Sequence, residues 1–157
     1  MTADIRTDDL SSAIYRASRL HHRLVWIAGG TAVERTTLLN NLAKTQDGVC
    51  IEVGKCLSAA LIEVPAPLRT VSVEECFQAC FEKKTDSAIC LNHLEILFEP
   101  TLQINPVALV KSASRHTLIV AAWPGDVHDG HLTFGTPDHS SFMELSELDL
   151  EAIVYFI

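Results

Sequence analysis

Four short apolar runs, separated by turns and amphipathic segments, set the pattern of the chain. They cover residues 24–28, 49–53, 87–92 and 117–123. Runs of this length bounded by turn residues are typical of buried strands. Strands that are buried on both faces belong to parallel sheets covered by helices. The pattern therefore predicts an α/β fold in which a mainly parallel sheet lies between two layers of helices.

Helical periodicity fills the intervals between these runs. We expect an N-terminal helix over residues 8–22, capped by Thr7 or Ser11, and then a core over residues 23–157, which together form one domain. Within the core we expect helices over residues 35–43, 56–62, 72–83 and 106–112, the third of them opened by a capping box of Ser72 and Glu75. Residues 131–134 alternate like a short exposed strand, and residues 149–157 are predicted to end the chain with a strand.

The turn after the first strand carries the strongest chemical signal. Gly29 and Thr36 have the spacing of the first glycine and the hydroxyl residue of a phosphate-binding P-loop, G-x-x-x-x-G-K-[ST], with the following helix starting at a threonine pair. The alternative is an ordinary strand-to-helix turn capped by a threonine. If the loop is a P-loop, the candidate nucleotide-binding residues are Gly29, Gly30, Thr31, Ala32, Val33, Glu34, Arg35, Thr36 and Thr37.

Two positions of this loop depart from the motif. Glu34 stands where the second glycine belongs, and Arg35 stands where the lysine belongs. Glu34 adds bulk and negative charge, and its carboxylate can itself occupy the anion-binding end of the helix. Arg35 keeps a positive charge, but a planar guanidinium does not replace a compact ammonium. We therefore expect binding of ATP or ADP with magnesium to be weak or lost.

A second nucleotide-binding element ends the third apolar run. P-loop proteins place a magnesium-holding aspartate at this point, where the chain has Asn92. Asparagine keeps an oxygen but loses the charge that magnesium favours, so Thr36 and Asn92 are magnesium ligands only if a nucleotide binds. Glu95 is a candidate substitute base for hydrolysis. Arg115 is a candidate phosphate sensor or a finger toward a neighbouring subunit, and the alternative is a solvated loop arginine.

Taken in order, these motifs resemble the BrxF family, the small P-loop proteins of type 3 BREX bacteriophage-exclusion systems. The resemblance is carried by the P-loop spacing and by three later segments, at 29–36, 91–100, 114–123 and 129–134. It implies a three-layer P-loop NTPase-like domain of the AAA+/ASCE type and a role beside other proteins of a phage-defence complex. The family has glycine and lysine in its P-loop and aspartate at position 92, so the departures here weigh against ATPase activity.

Charge and chain length limit the partners. The formal charge of −8 opposes nonspecific binding of nucleic acid, and only Arg16, Arg19 and Arg23 form a basic cluster, so we do not expect the isolated chain to bind DNA directly.

No apolar run approaches a membrane span and the N-terminus lacks a signal-peptide pattern, which predicts a cytoplasmic protein. The chain is too short for the helical lid of many ATPases, so a competent site would need a partner subunit or a homo-oligomer.

Other reactive residue types give weaker signals. The five cysteines predict free thiols rather than disulfides. Cys76 and Cys80 lie one helical turn apart on an apolar face, and we interpret them as core residues rather than metal ligands. His128, His131 and His139 are interpreted as solvated loop residues rather than a zinc site. No Ser-His-Asp or Cys-His spacing indicates a hydrolase.

Three functions follow from these observations. The first is a degenerate P-loop protein that acts as an assembly or regulatory component of a BREX-type complex. The second is an ATPase that is active on oligomerisation or with a partner, using Arg35 and Glu95 in place of the usual groups. The third is a contribution to a DNA-binding defence complex through Arg16, Arg19 and Arg23.

Overall fold

The computed structural model describes residues 2–81, 88–138 and 142–157, and their side chains from residue 10 onward. The helices of these ranges are α1 (Thr2–Ser18), α2 (Ala32–Thr45), α3 (Val53–Ile62), α4 (Arg69–Ala79), α5 (Pro106–Ala113) and α6 (Glu147–Leu150). The strands are β1 (Leu24–Ala28), β2 (Val49–Glu52), β3 (Ile89–Asn92), β4 (Ile119–Ala122), β5 (Asp126–His128), β6 (His131–Phe134), β7 (Met143–Leu145) and β8 (Ile153–Phe156). Short 3₁₀ helices cover Ala66–Leu68, Leu94–Phe98 and Pro100–Leu102.

The main sheet has the strand order β2-β3-β4-β1-β8, and every neighbouring pair is parallel. β4 separates β1 from β3, so the strand before the glycine turn and the strand that ends in Asn92 are not direct neighbours. The predicted mainly parallel sheet is confirmed. The predicted terminal strand is also present, and it pairs with β1 at the edge of the sheet.

Helices cover both faces of this sheet. Val25 and Ile27 point toward the face covered by α1 and α2, where they pack in one apolar cluster with Leu39. Leu24 and Trp26 point the opposite way, into the larger cluster that contains the apolar residues of α3, α4 and α5. This alternation along β1 follows from the two-residue period of a strand. Because both directions are buried, the strand reads as a continuous apolar run, as the sequence pattern indicated.

A second sheet, with the order β5-β6-β7, is antiparallel and was missed except for one strand. The predicted strand over residues 131–134 is confirmed by β6, but its predicted exposure is wrong, because Leu132 is fully buried. The indole Nε1 of Trp123 donates to the carbonyl of Thr133 at 2.9 Å and ties β6 to the main sheet. Gly125 permits this approach, since a Cβ there would lie 1.9 Å from the Thr133 oxygen.

The predicted capping box of Ser72 and Glu75 is wrong. α4 begins at Arg69, directly after the 3₁₀ helix Ala66–Leu68, so Ser72 lies inside the helix. The reason is Arg69, whose Nε donates to the carbonyls of Leu61 and Val64 at 3.1 Å each and fixes the start of α4 against the end of α3. The predicted end of this helix, residue 83, lies outside the described residues.

The N-terminal helix is displaced relative to the prediction. α1 starts at Thr2, so neither Thr7 nor Ser11 caps it, and it ends at Ser18 rather than at residue 22. The Ser18 hydroxyl donates to the Tyr15 carbonyl at 2.7 Å, a local bond that competes with continued helix. His21 and His22 therefore belong to the connection between α1 and β1.

Candidate functional site

The glycine turn is shorter than a P-loop. β1 ends at Ala28, Gly29 and Gly30 adopt positive φ angles of 87° and 61°, and Thr31 is already the N-cap of α2. The predicted helix start at Thr36 and Thr37 is wrong, since α2 begins at Ala32. The altered positions of the motif thus lie in the first helical turn instead of in an open loop.

A capping box explains the early start of α2. The backbone N–H of Glu34 donates to the Thr31 hydroxyl, and the backbone N–H of Thr31 donates to Glu34 Oε1, both at 3.1 Å. Two of the N–H groups at the helix start are thereby satisfied by side chains of the chain itself. The Glu34 carboxylate lies at the positive end of the α2 dipole, where a phosphate would otherwise be attracted.

The capping box supplies a testable stability contribution. We expect Glu34→Ala to lower the free energy of unfolding by about 0.5–1 kcal/mol, because the Thr31 N–H loses its acceptor and the helix dipole loses its anion. Glu52→Ala is the matched control, since Glu52 is the N-cap of α3 but makes no side-chain cap bond. Urea unfolding should show a smaller effect for the control, and equal losses would contradict the assigned role of Glu34.

Arg35 turns back onto the glycine turn. Its Nη1 donates to the carbonyls of Gly29 at 2.9 Å and Gly30 at 3.2 Å, and the side chain is half-buried. A guanidinium held by two carbonyls neutralises the negative ends of the loop's own peptide dipoles. The charge that would replace the P-loop lysine is therefore engaged within the loop.

Asn92 and Thr36 are brought together across the sheet edge. Asn92 Nδ2 donates to Thr36 Oγ1 at 2.8 Å, while Asn92 Oδ1 accepts from the backbone N–H of His93 at 3.0 Å. The second bond fixes which end of the amide faces Thr36, because a backbone N–H can only donate. With its nitrogen toward the hydroxyl, the Asn92 side chain presents a donor rather than an oxygen ligand at the position predicted for magnesium.

The two candidate catalytic residues lie at different edges of the sheet. Glu95 is exposed in the 3₁₀ helix Leu94–Phe98, at the carboxyl edge shared with the glycine turn. Arg115 precedes β4 and lies at the amino edge, where its carbonyl accepts from Arg23 Nη2 at 3.2 Å. Arg23 lies six residue steps before Gly29, so Arg115 is about 20 Å from the turn at ~3.3 Å per step along the strand. The structure does not bring Arg115 to the glycine turn of its own chain.

The end of β8 covers the glycine turn, a feature that the sequence did not indicate. The N–H of Ile157 donates to the Ala28 carbonyl at 2.8 Å. A Cβ on Gly29 would lie 3.2 Å from the Ile157 carbonyl oxygen, and one on Gly30 would lie 3.3 Å from Ile157 Cγ2. Beside this contact, a mostly apolar cavity of about 270 Å³ opens between α2 and β8, with Glu34 on its wall. The apolar run at 153–157 was the one signal that could have revealed this cover.

Cysteine and histidine positions favour structural roles. All five cysteines are free, as predicted, and burial raises the pKa of Cys90 to about 12. Cys76 and Cys80 pack against the larger core cluster. His131 Nδ1 lies 3.0 Å from Glu144 Oε1, while His139 lies outside the described residues. Across the described ranges, no group of three or more His, Cys, Asp or Glu side chains is placed to hold a metal.

Comparison of the chain with protein-family models, with curated proteins and with solved structures gave no match. Within the residues that are described, none of the helices has both the length and the apolar character needed to cross a bilayer. The interpretation of the site therefore depends on its own contacts.

Proposed function

We propose that this protein is a degenerate P-loop domain that acts as a non-catalytic assembly or regulatory component of a BREX-type phage-defence complex. One observation carries the non-catalytic part of the proposal: the side chains at the predicted nucleotide site make hydrogen bonds within the protein, while the BREX role rests on the sequence resemblance. Glu34 accepts from the Thr31 N–H, Arg35 donates to the glycine carbonyls, and Asn92 donates to Thr36. A site whose polar side chains are already hydrogen-bonded within the protein is more consistent with a scaffold role than with catalysis.

The energetics support the same conclusion. A bound triphosphate would have to displace the Glu34 carboxylate, free Arg35 from two carbonyls and separate Asn92 from Thr36. Each neutral bond contributes about 1 kcal/mol net and each charged one about 1.5–3 kcal/mol, so several kcal/mol of internal contacts oppose the nucleotide. The Glu34 carboxylate, if not displaced, would also repel the phosphates.

The strand order supports the P-loop ancestry. β1 and β3 end at the same edge of the sheet with β4 between them, so the turn after β1 and the end of β3 face each other across β4. The direct contact of Thr36 with Asn92 is what such an ancestry predicts, with a hydrogen bond in place of a shared magnesium.

The Thr36–Asn92 contact also favours the second candidate, an ATPase that forms its site with a neighbouring subunit. In that case Arg115, at the opposite edge of its own sheet, would act on the site of another copy, and Glu95 would serve as the base. Magnesium-dependent phosphate release that is lost in Thr36→Ala would favour the ATPase over the scaffold.

The proposed role predicts tolerance of a loop substitution in the cell. The gene is expressed with the genes that flank it, and phage plating efficiency is measured. We expect deletion of the gene to abolish protection. We expect Arg35→Ala to keep the plating efficiency within about tenfold of that of the natural protein, because a scaffold role does not require phosphate binding. Unchanged plating after deletion would contradict the defence role, and loss of protection in a stable, normally expressed Arg35→Ala protein would contradict the non-catalytic role.

A further inference from the structure

The amino edge of the main sheet, opposite the glycine turn, gathers basic residues from two connections. The N–H of Arg23, just before β1, donates to the Ser114 carbonyl at 2.9 Å, and Arg23 Nη2 donates to the Arg115 carbonyl at 3.2 Å. The segment before β1 and the segment before β4 are therefore joined. Both arginines reach this edge because parallel strands begin on the same side of a sheet.

Imidazole and ammonium groups extend this cluster. His21 and His22 pack edge to face with their ring centroids 4.8 Å apart. The charges that act on His22 come from Lys111, His21 and Arg115, with Glu151 opposing them, and burial together with the three basic groups lowers the pKa of His22. Glu151 is itself hydrogen-bonded to Lys111. Lys111 and Glu151 therefore form an ion pair that adds no net charge to this edge.

The last turns of α1 add an aromatic face. Tyr15 is 63% exposed. The Arg19 guanidinium lies 5.8 Å from the centre of the Tyr15 ring and donates to its hydroxyl at 3.2 Å. Arg16 is exposed one turn before Arg19. We name this surface the amino-edge patch and define it by the exposed ring of Tyr15 and the cationic side chains of Arg16, Arg19, Arg23 and Arg115.

We propose that the amino-edge patch binds single-stranded nucleic acid, with the arginines on the phosphates and Tyr15 as a stacking surface for a base. Cationic groups interleaved with exposed aromatic rings are the recurring surface for unpaired strands, because every base has a face that stacks. An acidic protein segment would use the charges but not the exposed ring. The formal charge of −8 disfavours the longer phosphate track of a duplex, whereas a short single strand needs only this local patch.

The size of the patch sets the expected salt dependence. If three or four arginines each neutralise one phosphate of a single strand, log Kd should rise with log salt with a slope of about 2–3. Affinity should then fall about 20- to 50-fold between 50 and 200 mM salt.

The test is fluorescence anisotropy with a labelled single-stranded DNA of mixed sequence and about 20 nucleotides, titrated with the full chain at 50 and 200 mM salt. Arg115→Gln removes one cation but keeps the Arg115 carbonyl that accepts from Arg23. We expect it to weaken binding about 3- to 10-fold at 50 mM salt and to reduce the slope by about 0.7. Lys55→Gln, an exposed lysine in α3 at the opposite edge, is the charge-matched control and should change Kd less than twofold.

Substitution of Tyr15 separates nucleic acid from an acidic protein ligand. Tyr15→Ala should weaken binding at least fivefold, and Tyr15→Phe, which keeps the ring, should stay within about twofold. Thermal unfolding of each variant verifies that it is folded. The proposal is overturned if no saturable binding occurs at 50 mM salt, if Lys55→Gln has the effect of Arg115→Gln, or if polyglutamate displaces the strand and Tyr15→Ala changes nothing. None of these results depends on the nucleotide loop.

Discussion

Replacing Trp123 by alanine is expected to lower the free energy of unfolding by about 3–5 kcal/mol, the range for deleting a buried aromatic side chain. Trp123 is fully buried, and its ring packs edge to face against Trp26 at 5.4 Å and Phe98 at 5.3 Å between centroids. Its Nε1 also holds the Thr133 carbonyl of β6. The substitution therefore leaves a cavity and releases the second sheet from the first. Urea unfolding followed by circular dichroism measures the loss.

The two tryptophans form a matched pair that separates packing from hydrogen bonding. Both are fully buried, but Trp26 Nε1 has no hydrogen-bond partner among the described residues. Phenylalanine at either position removes a similar volume, while only Trp123→Phe leaves the Thr133 carbonyl without its donor. We expect Trp123→Phe to cost about 1–2 kcal/mol more than Trp26→Phe. Equal losses would show that the bond to Thr133 contributes nothing net.

The strands of the main sheet could be predicted because strands that are buried on both faces appear in the sequence as short, continuous apolar runs. β1 and β4 are buried on both faces, so every side chain in them is apolar or small. The second sheet could not be predicted in the same way. β6 contributes one fully buried side chain, Leu132, and is held by a backbone contact to Trp123 that residue identity does not encode.

The capping boxes show how context decides between identical signals. The pattern S/T-x-x-E occurs at both Thr31–Glu34 and Ser72–Glu75. At Thr31 it starts a helix, because the two glycines before it end β1 in conformations that no helix can include. At Ser72 it does not, because the preceding 3₁₀ turn already runs into α4. The sequence indicated that the Glu34 carboxylate can lie at the helix start, but not that Thr31 completes a capping box with it.

The candidate site was predictable in part from strand direction. Thr36 and Asn92 both follow the carboxyl ends of parallel strands, so their contact agrees with the expected magnesium pair. The same rule places Arg115, which precedes a parallel strand, at the amino edge. The cover by Ile157 depends on β8 pairing with β1 from the far end of the sequence, and the apolar run at 153–157 predicts a strand but not its neighbour.

Restoring the P-loop residues is expected to create nucleotide binding. By calorimetry the natural sequence should give no saturable heat with ATP or ADP at millimolar concentration, with or without magnesium. A variant with Glu34→Gly, Arg35→Lys and Asn92→Asp should bind ATP with magnesium at a Kd of about 10–100 μM, a gain of ~1–3 kcal/mol over a millimolar ligand. The changes remove the competing carboxylate, supply the compact ammonium and return the charged oxygen that magnesium favours.

A control within the restored variant tests the magnesium position. Adding Thr36→Ala should abolish the magnesium-dependent part of the binding, because the remaining carboxylate would act without the hydroxyl that lies beside it in the natural chain. The loss of the Glu34 cap should cost the variant about 0.5–1 kcal/mol of stability, so thermal unfolding is measured before titration.

The results would distinguish an active nucleotide site, a degenerate P-loop and an ordinary capped turn. Micromolar binding by the natural sequence would mean that ATP readily displaces the hydrogen bonds of Glu34 and Arg35. The ATPase proposal would then be better supported than the scaffold proposal. A folded restored variant that binds no nucleotide would mean that the turn is an ordinary capped connection, and the defence role would lose its structural support. Binding only in the restored variant would mean that three side chains keep nucleotide out of an otherwise competent P-loop framework.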